Sequence, residues 1–359
     1  MAKPPAEVDL PAGTSAESAA RSAVQPAPGI VPGVRPARGR LGRWQRPIRI
    51  GFLGLAVGLG AVAVVTRWDQ VRASLGQLDL GPLLLSLLAA IGGSAVSMMV
   101  WRTLLTDLGS SVPVRPVARV FFVGQLGKYV PGAIWPMVAQ MELGRSLGLA
   151  RRRSAAAFAL TMLVVFASAL FVAAVALPLL GDSAPGYRWL LLLAPVFAVL
   201  LYPRLLNRLL GLAFRLLRRE PLDRPLTGPG LLRAFGWSLV AWALFGLHIG
   251  ILVIDLGAPA QRALPVAFGA FAIAWCAGPI IMIAPAGAGI RELALVALLA
   301  PVLSPASALV VALTSRLFLT IADLLLAGGF ALTSGGLGSV RRRAASATPS
   351  DQRDHRGSA

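Results

Sequence analysis

The feature that most constrains this chain is a set of apolar runs, each about twenty residues long. A helix of that length crosses a hydrocarbon core of roughly 30 Å. Of the 359 residues, 56% are apolar and only 14% are charged, whereas about a quarter of the residues in a soluble domain are charged. The sequence therefore predicts an all-α, polytopic membrane helical bundle of about 8 transmembrane helices, plus one or two re-entrant or broken helices.

The distribution of basic residues predicts how the chain is threaded. The predicted spans are residues 48–66, 80–101, 154–179, 189–203, 234–254, 263–284, 290–303 and 306–332. Of the 34 Lys and Arg residues, only Arg67, Arg72, Arg188 and Arg262 then fall on one side, and Arg316 falls within a span. This asymmetry follows the positive-inside rule. It predicts a multi-pass protein of the cell membrane with both termini in the cytoplasm.

The segments around the predicted bundle are basic. Residues 1–47, rich in Pro, Ala, Gly and Arg, are expected to form a disordered cytoplasmic tail. Residues 48–333 form the predicted transmembrane domain, and residues 334–359 a second cytoplasmic tail. The segment that begins at Asn207, NRLLGLAFRLLRR, is predicted to be an amphipathic helix on the membrane surface or a solvated extension of the preceding span. The net charge of +19 is therefore expected to attract anionic lipids rather than nucleic acid.

One stretch, Gly124–Gly144 (GQLGKYVPGAIWPMVAQMELG), is apolar but interrupted by glycines and prolines, and it contains Lys128. Backbone inside hydrocarbon must satisfy its own hydrogen bonds, so such a segment persists only where protein or water surrounds it. Basic residues lie on both sides of the stretch. We therefore predict a re-entrant or broken helix that enters and leaves on the same side and lines a cavity.

A second interruption occurs at Ala284–Glu292 (APAGAGIRE). The apolar run that follows it is short. The basic C-terminal tail favours a full crossing by 285–303, and a re-entrant path is the alternative.

Two interrupted segments, one in each half of the chain, are the sequence pattern of a transporter-like site near the middle of the membrane. Broken helices expose N–H groups, and helix N-termini attract anions. The alternative is that the glycines and prolines only permit kinks and close helix packing. The predicted substrate-binding residues are Gly127, Lys128, Tyr129, Pro131, Gly132, Trp135, Arg291, Glu292 and Arg316.

Further residues within or beside the apolar runs are predicted to have a gating or structural role. Arg316 and Asp323 are seven residues apart and share one helix face, where they line a pathway or make structural ion pairs. Lys128 with Glu292 is one candidate pair. His248 is a lone histidine within a span, and such a histidine is more often hydrogen-bonded to a neighbouring helix than part of a proton relay. The residues predicted to have this gating or structural role are Gln140, Glu142, His248, Gly287, Gly289 and Asp323.

Several chemistries are excluded or disfavoured. The single cysteine, Cys276, rules out an intramolecular disulfide and a cysteine-based metal cluster. We predict no metal and no cofactor. The sequence contains no catalytic triad and no phosphate-binding P-loop, but intramembrane Lys, Arg and Glu residues leave enzyme chemistry on a lipid open.

The run Gly127–Gly132 (GKYVPG), followed by Trp135 and Pro136, resembles the signature of the lysylphosphatidylglycerol synthase transmembrane region family, also called flippase-like. Further similarity lies in the second interruption, in Arg316 and across most of residues 48–333. In the third span, near Thr161 and Met162, the sequence departs from the family pattern, which has an acidic residue there.

The resemblance implies a multi-helix domain associated with moving lipids between leaflets. In full-length synthases a cytoplasmic domain transfers an aminoacyl group, and we expect that the roughly 27 residues after the last span are too few for such a domain. The favoured function is a flippase for an anionic lipid or a lipid-linked sugar. The alternative is an enzyme or accessory subunit for lipid modification that uses a polyprenyl phosphate or phospholipid. A third option is a scaffold for a separate synthase or transferase.

Overall fold

The computed structural model describes residues 65–66, 68–130, 134–176, 202–216, 222, 224–280 and 287–332. Those residues form ten α-helices, one 3₁₀ turn and connecting loops, without a β-strand, which confirms the predicted all-α bundle. The helices are α1 (Trp68–Gly76), α2 (Leu80–Asp107), α3 (Val114–Gln125), α4 (Trp135–Arg145), α5 (Arg151–Ala176), α6 (Pro203–Leu216), α7 (Gly228–Asp255), α8 (Ala260–Ile280), α9 (Ile290–Leu299) and α10 (Pro305–Leu332). The 3₁₀ turn, Leu126–Tyr129, lies between α3 and α4.

Five of these helices, α2, α5, α7, α8 and α10, are long and apolar enough to cross a membrane. They correspond to the predicted spans 80–101, 154–179, 234–254, 263–284 and 306–332. The predicted spans 48–66 and 189–203 lie almost entirely outside the described residues. The two predicted tails, 1–47 and 334–359, also lie outside them.

Polar contacts mark the two ends of the bundle. At one end, the side chain of Asp107 accepts hydrogen bonds of 2.7 Å from the backbone N–H and from the hydroxyl of Thr227, which precedes α7. At the other end, Asp255 accepts a 3.0 Å hydrogen bond from the backbone N–H of Asp79, which precedes α2. Helices α2 and α7 therefore run antiparallel. We call these the Asp107 end and the Asp79 end.

Helices α3 and α4, with the 3₁₀ turn between them, form a first hairpin that enters from the Asp107 end. Just before α3, the carbonyl of Val112 accepts a 3.4 Å hydrogen bond from Arg102 near the end of α2. At the end of α4, Glu142 pairs at 2.7 Å with Arg151, the first residue of α5. The start of α5 also lies at the Asp107 end, because Arg153 donates a 3.3 Å hydrogen bond to Ser110 between α2 and α3. Both limbs therefore lie at one end, as the predicted re-entrant path requires.

Helices α8 and α9 form a second hairpin that enters from the Asp79 end. Four residues separate the end of α7 at Asp255 from the start of α8, and five separate α9 from α10, whose Ser307 lies 3.2 Å from Ser74 of α1. The ten residues of α9 span only about 15 Å, roughly half of a hydrocarbon core. The described part of 285–303 therefore runs in the direction of the predicted full crossing, towards the Asp79 end, but α9 alone is shorter than a full span.

Helix α10 runs the length of the bundle. Near its start, Ser307 hydrogen-bonds Ser74 of α1 at 3.2 Å. Near its end, Ala327 and Phe330 pack in the cluster that contains Leu108 and Leu231 at the Asp107 end. Because α9 returns to the Asp79 end, α10 ends at the Asp107 end, which is also where the predicted full crossing had placed its C-terminus.

Glycines allow the long helices to approach closely. A Cβ atom added to Gly93 of α2 would lie 2.7 Å from the ring of Phe245 in α7, and one added to Gly250 of α7 would lie 2.7 Å from Leu264 in α8. Small residues at such positions are typical of packed membrane helices.

Helix α6 is amphipathic, as predicted. Leu206 is buried, while Leu209, Leu212 and Leu216 are 49%, 53% and 75% exposed.

Candidate functional site

A cavity of about 230 Å³ lies where the two hairpins meet α10 and the long helices. The turn of the first hairpin contributes Lys128 and Tyr129, and the second hairpin contributes Gly278, Gly287 and Arg291. Helix α10 contributes Arg316, Thr320 and Asp323. The cavity is smaller than the pockets of roughly 300–1,000 Å³ that enclose drug-sized ligands.

The turn of the first hairpin is bonded to α10 through one carboxylate. The Nζ atom of Lys128 lies 2.6 Å from Oδ2 of Asp323, and the hydroxyl of Tyr129 donates a 2.6 Å hydrogen bond to the same oxygen. The side chain of Asp323 is only 10% exposed, and that of Lys128 is 34% exposed. Asp323 is therefore a buried anion with two donors, and its charge is balanced by Lys128.

The second hairpin contains a carboxylate, that of Glu292, both of whose oxygens have a partner. Oε2 of Glu292 accepts a 2.6 Å hydrogen bond from the backbone N–H of Gly289 at the start of α9. Its Oε1 atom lies 3.2 Å from Nη1 of Arg316. Glu292 thus satisfies an N-terminal amide of α9, where an acidic group is stabilised by the helix dipole. We expected a ligand anion at this helix N-terminus, and the chain's own carboxylate occupies that position instead.

Arg291 differs from the other two cations. Its guanidinium lies 4.7 Å from the ring centroid of Phe271 in α8, a cation–π distance. Its Nη2 atom is buried and has no hydrogen-bond partner among the described residues. A buried donor without an acceptor is costly, so this atom is suited to receive an acceptor from a ligand in the cavity.

Two glycines give the second hairpin its turn. Gly287 and Gly289 have φ values of 70° and 87°, a backbone region that favours glycine. A Cβ added to Gly287 would lie 2.7 Å from Cα of Gly278 across the hairpin. In the first hairpin, Gly127 has a related role, because its added Cβ would lie 2.8 Å from the backbone of Trp135.

The structure therefore brings five predicted charged or phenolic residues to one cavity: Lys128, Tyr129, Arg291, Arg316 and Asp323. Glu292 lies beside them through Arg316. The pairing considered from the sequence, Lys128 with Glu292, is wrong, because Lys128 pairs with Asp323 and Arg316 pairs with Glu292. Arg316 and Asp323 both line the cavity, as their shared helix face predicts.

The remaining predicted residues lie elsewhere. Gln140 is buried within the first hairpin, against Gly124. Glu142 lies near the surface, where it pairs with Arg151 and Arg145. Trp135 is 44% exposed. Pro131 and Gly132 lie outside the described residues.

His248 joins three helices, in agreement with the prediction that it bonds a neighbouring helix. Its Nδ1 atom lies 2.7 Å from the hydroxyl of Ser86 in α2. Its Nε2 atom lies 2.9 Å from the hydroxyl of Ser315 in α10. The residue is fully buried and does not line the cavity.

Sequence reasoning missed the hydroxyl and aromatic residues of the cavity. They come mainly from α2, α5, α7 and α8, and they are Ser94, Ser97, Thr161, Ser238, Trp242, Phe245 and Trp275. One signal was available: Trp242 and Trp275 lie inside long apolar helices, whereas membrane tryptophans are enriched at the interfaces. A tryptophan at such depth indicates packing around a site or a second aromatic residue, and the two ring centroids are indeed 5.6 Å apart.

Five long apolar helices around a cavity lined by charged residues define a helical integral membrane protein. The sequence profile of the family described as "Lysylphosphatidylglycerol synthase TM region" matches residues 51–327. That is more than half of the chain, so the chain belongs to this family and is an integral membrane protein related to lipid metabolism. No curated protein sequence matches it.

Proposed function

We propose that this protein translocates an anionic lipid, or a lipid-linked sugar, between the leaflets of the cell membrane, with both chain termini in the cytoplasm. The observation that carries the proposal is the meeting of two hairpins from opposite ends of the bundle around one charged cavity. Broken segments that meet at such a depth are typical of transporter sites.

The charges of the cavity support an anionic headgroup. Lys128, Arg291 and Arg316 line the cavity, and only Arg291 has a buried donor atom without an acceptor among the described residues. A phosphate oxygen at this position would form a charge-assisted hydrogen bond, about twice as strong as a neutral one. We assign Arg291 as the primary anion ligand.

Lys128 and Tyr129 are assigned a second role. A headgroup that approaches Lys128 competes with Asp323 for the same ammonium group, because the Nζ atom of Lys128 lies 2.6 Å from Oδ2 of Asp323. Exchange of partners at Lys128 would loosen the contact between the first hairpin and α10. This exchange couples headgroup binding to movement of the hairpin, and a ligand shifts a conformational equilibrium only through such differential contacts.

The test is lipid translocation by the purified protein in liposomes. The probe is a phosphatidylglycerol with a fluorescent acyl chain, and the readout is its accessibility to an impermeant quencher in the outer leaflet. We expect wild type to move the lipid and Arg291→Ala to fail. Arg215→Ala, on the exposed face of α6, removes the same charge away from the cavity and should behave like wild type.

Two results would contradict the proposal. One is equal translocation by wild type and by Arg291→Ala. The other is no translocation by wild type together with chemical conversion of the lipid when a sugar donor is supplied, which would favour the enzyme alternative. Thermal unfolding of each variant before reconstitution checks that the proteins are folded.

A further inference from the structure

The cavity is lined by two chemically different sets of residues. The charged set comes from the first hairpin turn, α9 and α10. The second set consists of hydroxyl and aromatic side chains from α2, α5, α7 and α8. Any ligand that fills the cavity contacts both sets, so the second set bears on which headgroup is selected.

The charged set contains one positive charge in excess. It has three cations, Lys128, Arg291 and Arg316, and the two carboxylates of Asp323 and Glu292. Each carboxylate already has one cation and one further donor. The one positive charge in excess matches a ligand with a single negative charge, such as a phosphodiester.

None of the described residues of the cavity offers a free carboxylate to a ligand. Asp323 is the one acidic residue in the lining itself, and Lys128 and Tyr129 already contact it. The segments adjoining the two turns, residues 131–133 and 281–286, read PGA and IMIAPA and contain no Asp or Glu. An ammonium group in the cavity would therefore meet an excess of positive charge without a counter-ion, and burial of an unpaired charge is costly.

Two hydroxyls of the second set, those of Thr161 and Ser97, are oriented as acceptors towards a ligand. Thr161 donates its hydroxyl proton to the carbonyl of Ala157 at 2.7 Å, and Ser97 donates to the carbonyl of Gly93 at 2.9 Å. Each hydroxyl proton is thereby used within its own helix, while the oxygen retains lone pairs. Such oxygens accept hydrogen bonds from the hydroxyl groups of a polyol or sugar.

We infer that the cavity selects a phospholipid with a single negative charge and a hydroxyl-bearing headgroup, such as glycerol, inositol or a sugar, and excludes headgroups that carry an ammonium group. This inference rests on the proposed function and narrows its substrate class. According to this inference, a lipid with an uncharged polyol on its phosphate binds in the cavity, whereas lysylphosphatidylglycerol, the lipid in the family's description, does not.

The test measures binding to the purified full-length protein by the shift of its thermal unfolding midpoint. Four short-chain lipids with the same acyl chains are compared: phosphatidylglycerol, phosphatidylinositol, phosphatidylethanolamine and lysylphosphatidylglycerol. Soluble glycerophosphoglycerol, which lacks acyl chains, separates lipid binding from binding of the free headgroup. We expect the first two lipids to bind at least ten-fold more tightly than the two that carry ammonium groups.

The outcomes distinguish the two proposals. Equal or tighter binding of lysylphosphatidylglycerol would overturn the selectivity and leave lipid translocation standing. Binding of glycerophosphoglycerol as tight as that of the lipid would overturn the assignment to a lipid. No shift with any of the four lipids would contradict both proposals.

A charge variant tests the cause of the selectivity. Thr161→Glu and Met162→Glu each place a carboxylate at the cavity lining, and Thr161→Gln and Met162→Gln are the matched neutral controls. Because Thr161 is buried, the more exposed Met162 provides a second position should the first variant not fold. We expect the Glu variants, but not the Gln variants, to gain at least ten-fold in relative affinity for lysylphosphatidylglycerol. The same order of affinities in Glu and Gln variants would refute the charge argument.

Discussion

The two hairpins both bring charged residues to the cavity and differ in how those charges are balanced. In the first, Lys128 and Tyr129 both bond one oxygen of Asp323, so the turn is attached to α10. In the second, the acidic residue Glu292 is engaged by Gly289 and Arg316, and Arg291 retains a buried donor without a described partner. The first hairpin is therefore suited to hold a conformation and the second to bind an anion.

The largest effect is expected on ligand affinity at the second hairpin. Replacement Arg291→Ala removes the guanidinium whose buried Nη2 atom has no acceptor among the described residues, and it should weaken binding of phosphatidylglycerol about 100-fold, since a charge-assisted hydrogen bond contributes roughly 1.5–3 kcal/mol. Stability should fall by no more than about 2 kcal/mol, the contribution of the buried cation–π contact with Phe271. Titration of the lipid-induced shift in unfolding midpoint measures the affinity. A large loss of stability with unchanged affinity would reverse the roles assigned to the two hairpins.

The next effect concerns the glycines of the turns. Gly287→Ala should lower the free energy of unfolding by about 1–3 kcal/mol, because φ is 70° and the new Cβ meets Gly278 at 2.7 Å. The control is Gly148→Ala, at a φ of 74° with nothing within 4 Å of the added Cβ. Unfolding in mixed micelles should show a smaller loss for the control, and equal losses would contradict the close contact in the second hairpin.

A smaller effect on stability is expected at the attachment of the first hairpin. Lys128→Ala leaves the mostly buried Asp323 with Tyr129 alone and should lower the free energy of unfolding by about 1–2 kcal/mol, a value between those of exposed and buried ion pairs.

The double variant Lys128→Ala/Asp323→Asn completes this experiment. It removes the uncompensated carboxylate and should recover much of the loss, a non-additivity that a double-mutant cycle measures. Additive losses in the cycle would show that the two residues do not interact.

The smallest effect is expected at the surface end of the first hairpin. Glu142→Gln should change the free energy of unfolding by less than about 0.5 kcal/mol, because the pairs of Glu142 with Arg151 and Arg145 are exposed. Translocation by this variant in liposomes should equal that of wild type. A clear loss of translocation without a loss of stability would restore the gating role that the sequence suggested for this residue.

Much of the fold follows from the sequence because its physical signals are local. Runs of apolar residues predict the long helices, and the glycines and prolines at GKYVPG and PAGAG mark both interruptions. The path of 285–303 was harder to predict from the sequence. The positive-inside rule indicates on which side of the membrane a loop lies, but not how deeply a segment enters the membrane. The rule correctly placed the start of α10 at the Asp79 end, but it did not show that α9 has only half the length of a span.

The site was only partly predictable for a related reason. Charged residues in apolar runs are conspicuous, so Lys128, Arg291 and Arg316 could be found from the sequence. Their partners depend on which helices meet, and Asp323 rather than Glu292 lies next to Lys128. Ser97 and Thr161 are ordinary residues in membrane helices, and only the packing shows that they face the cavity.

Water access to the cavity tests the central claim most directly. In a Cys276→Ala background, Thr320→Cys places a thiol at the cavity and Leu317→Cys places one on the exposed face of the same helix, where the side chain is 57% exposed. Thiol reagents attack the thiolate, which requires a polar surrounding. In liposomes, a charged, water-soluble reagent should label Thr320→Cys, with protection by phosphatidylglycerol, and should spare Leu317→Cys in the hydrocarbon. Labelling of Leu317→Cys with none of Thr320→Cys would contradict a hydrated headgroup cavity between the hairpins.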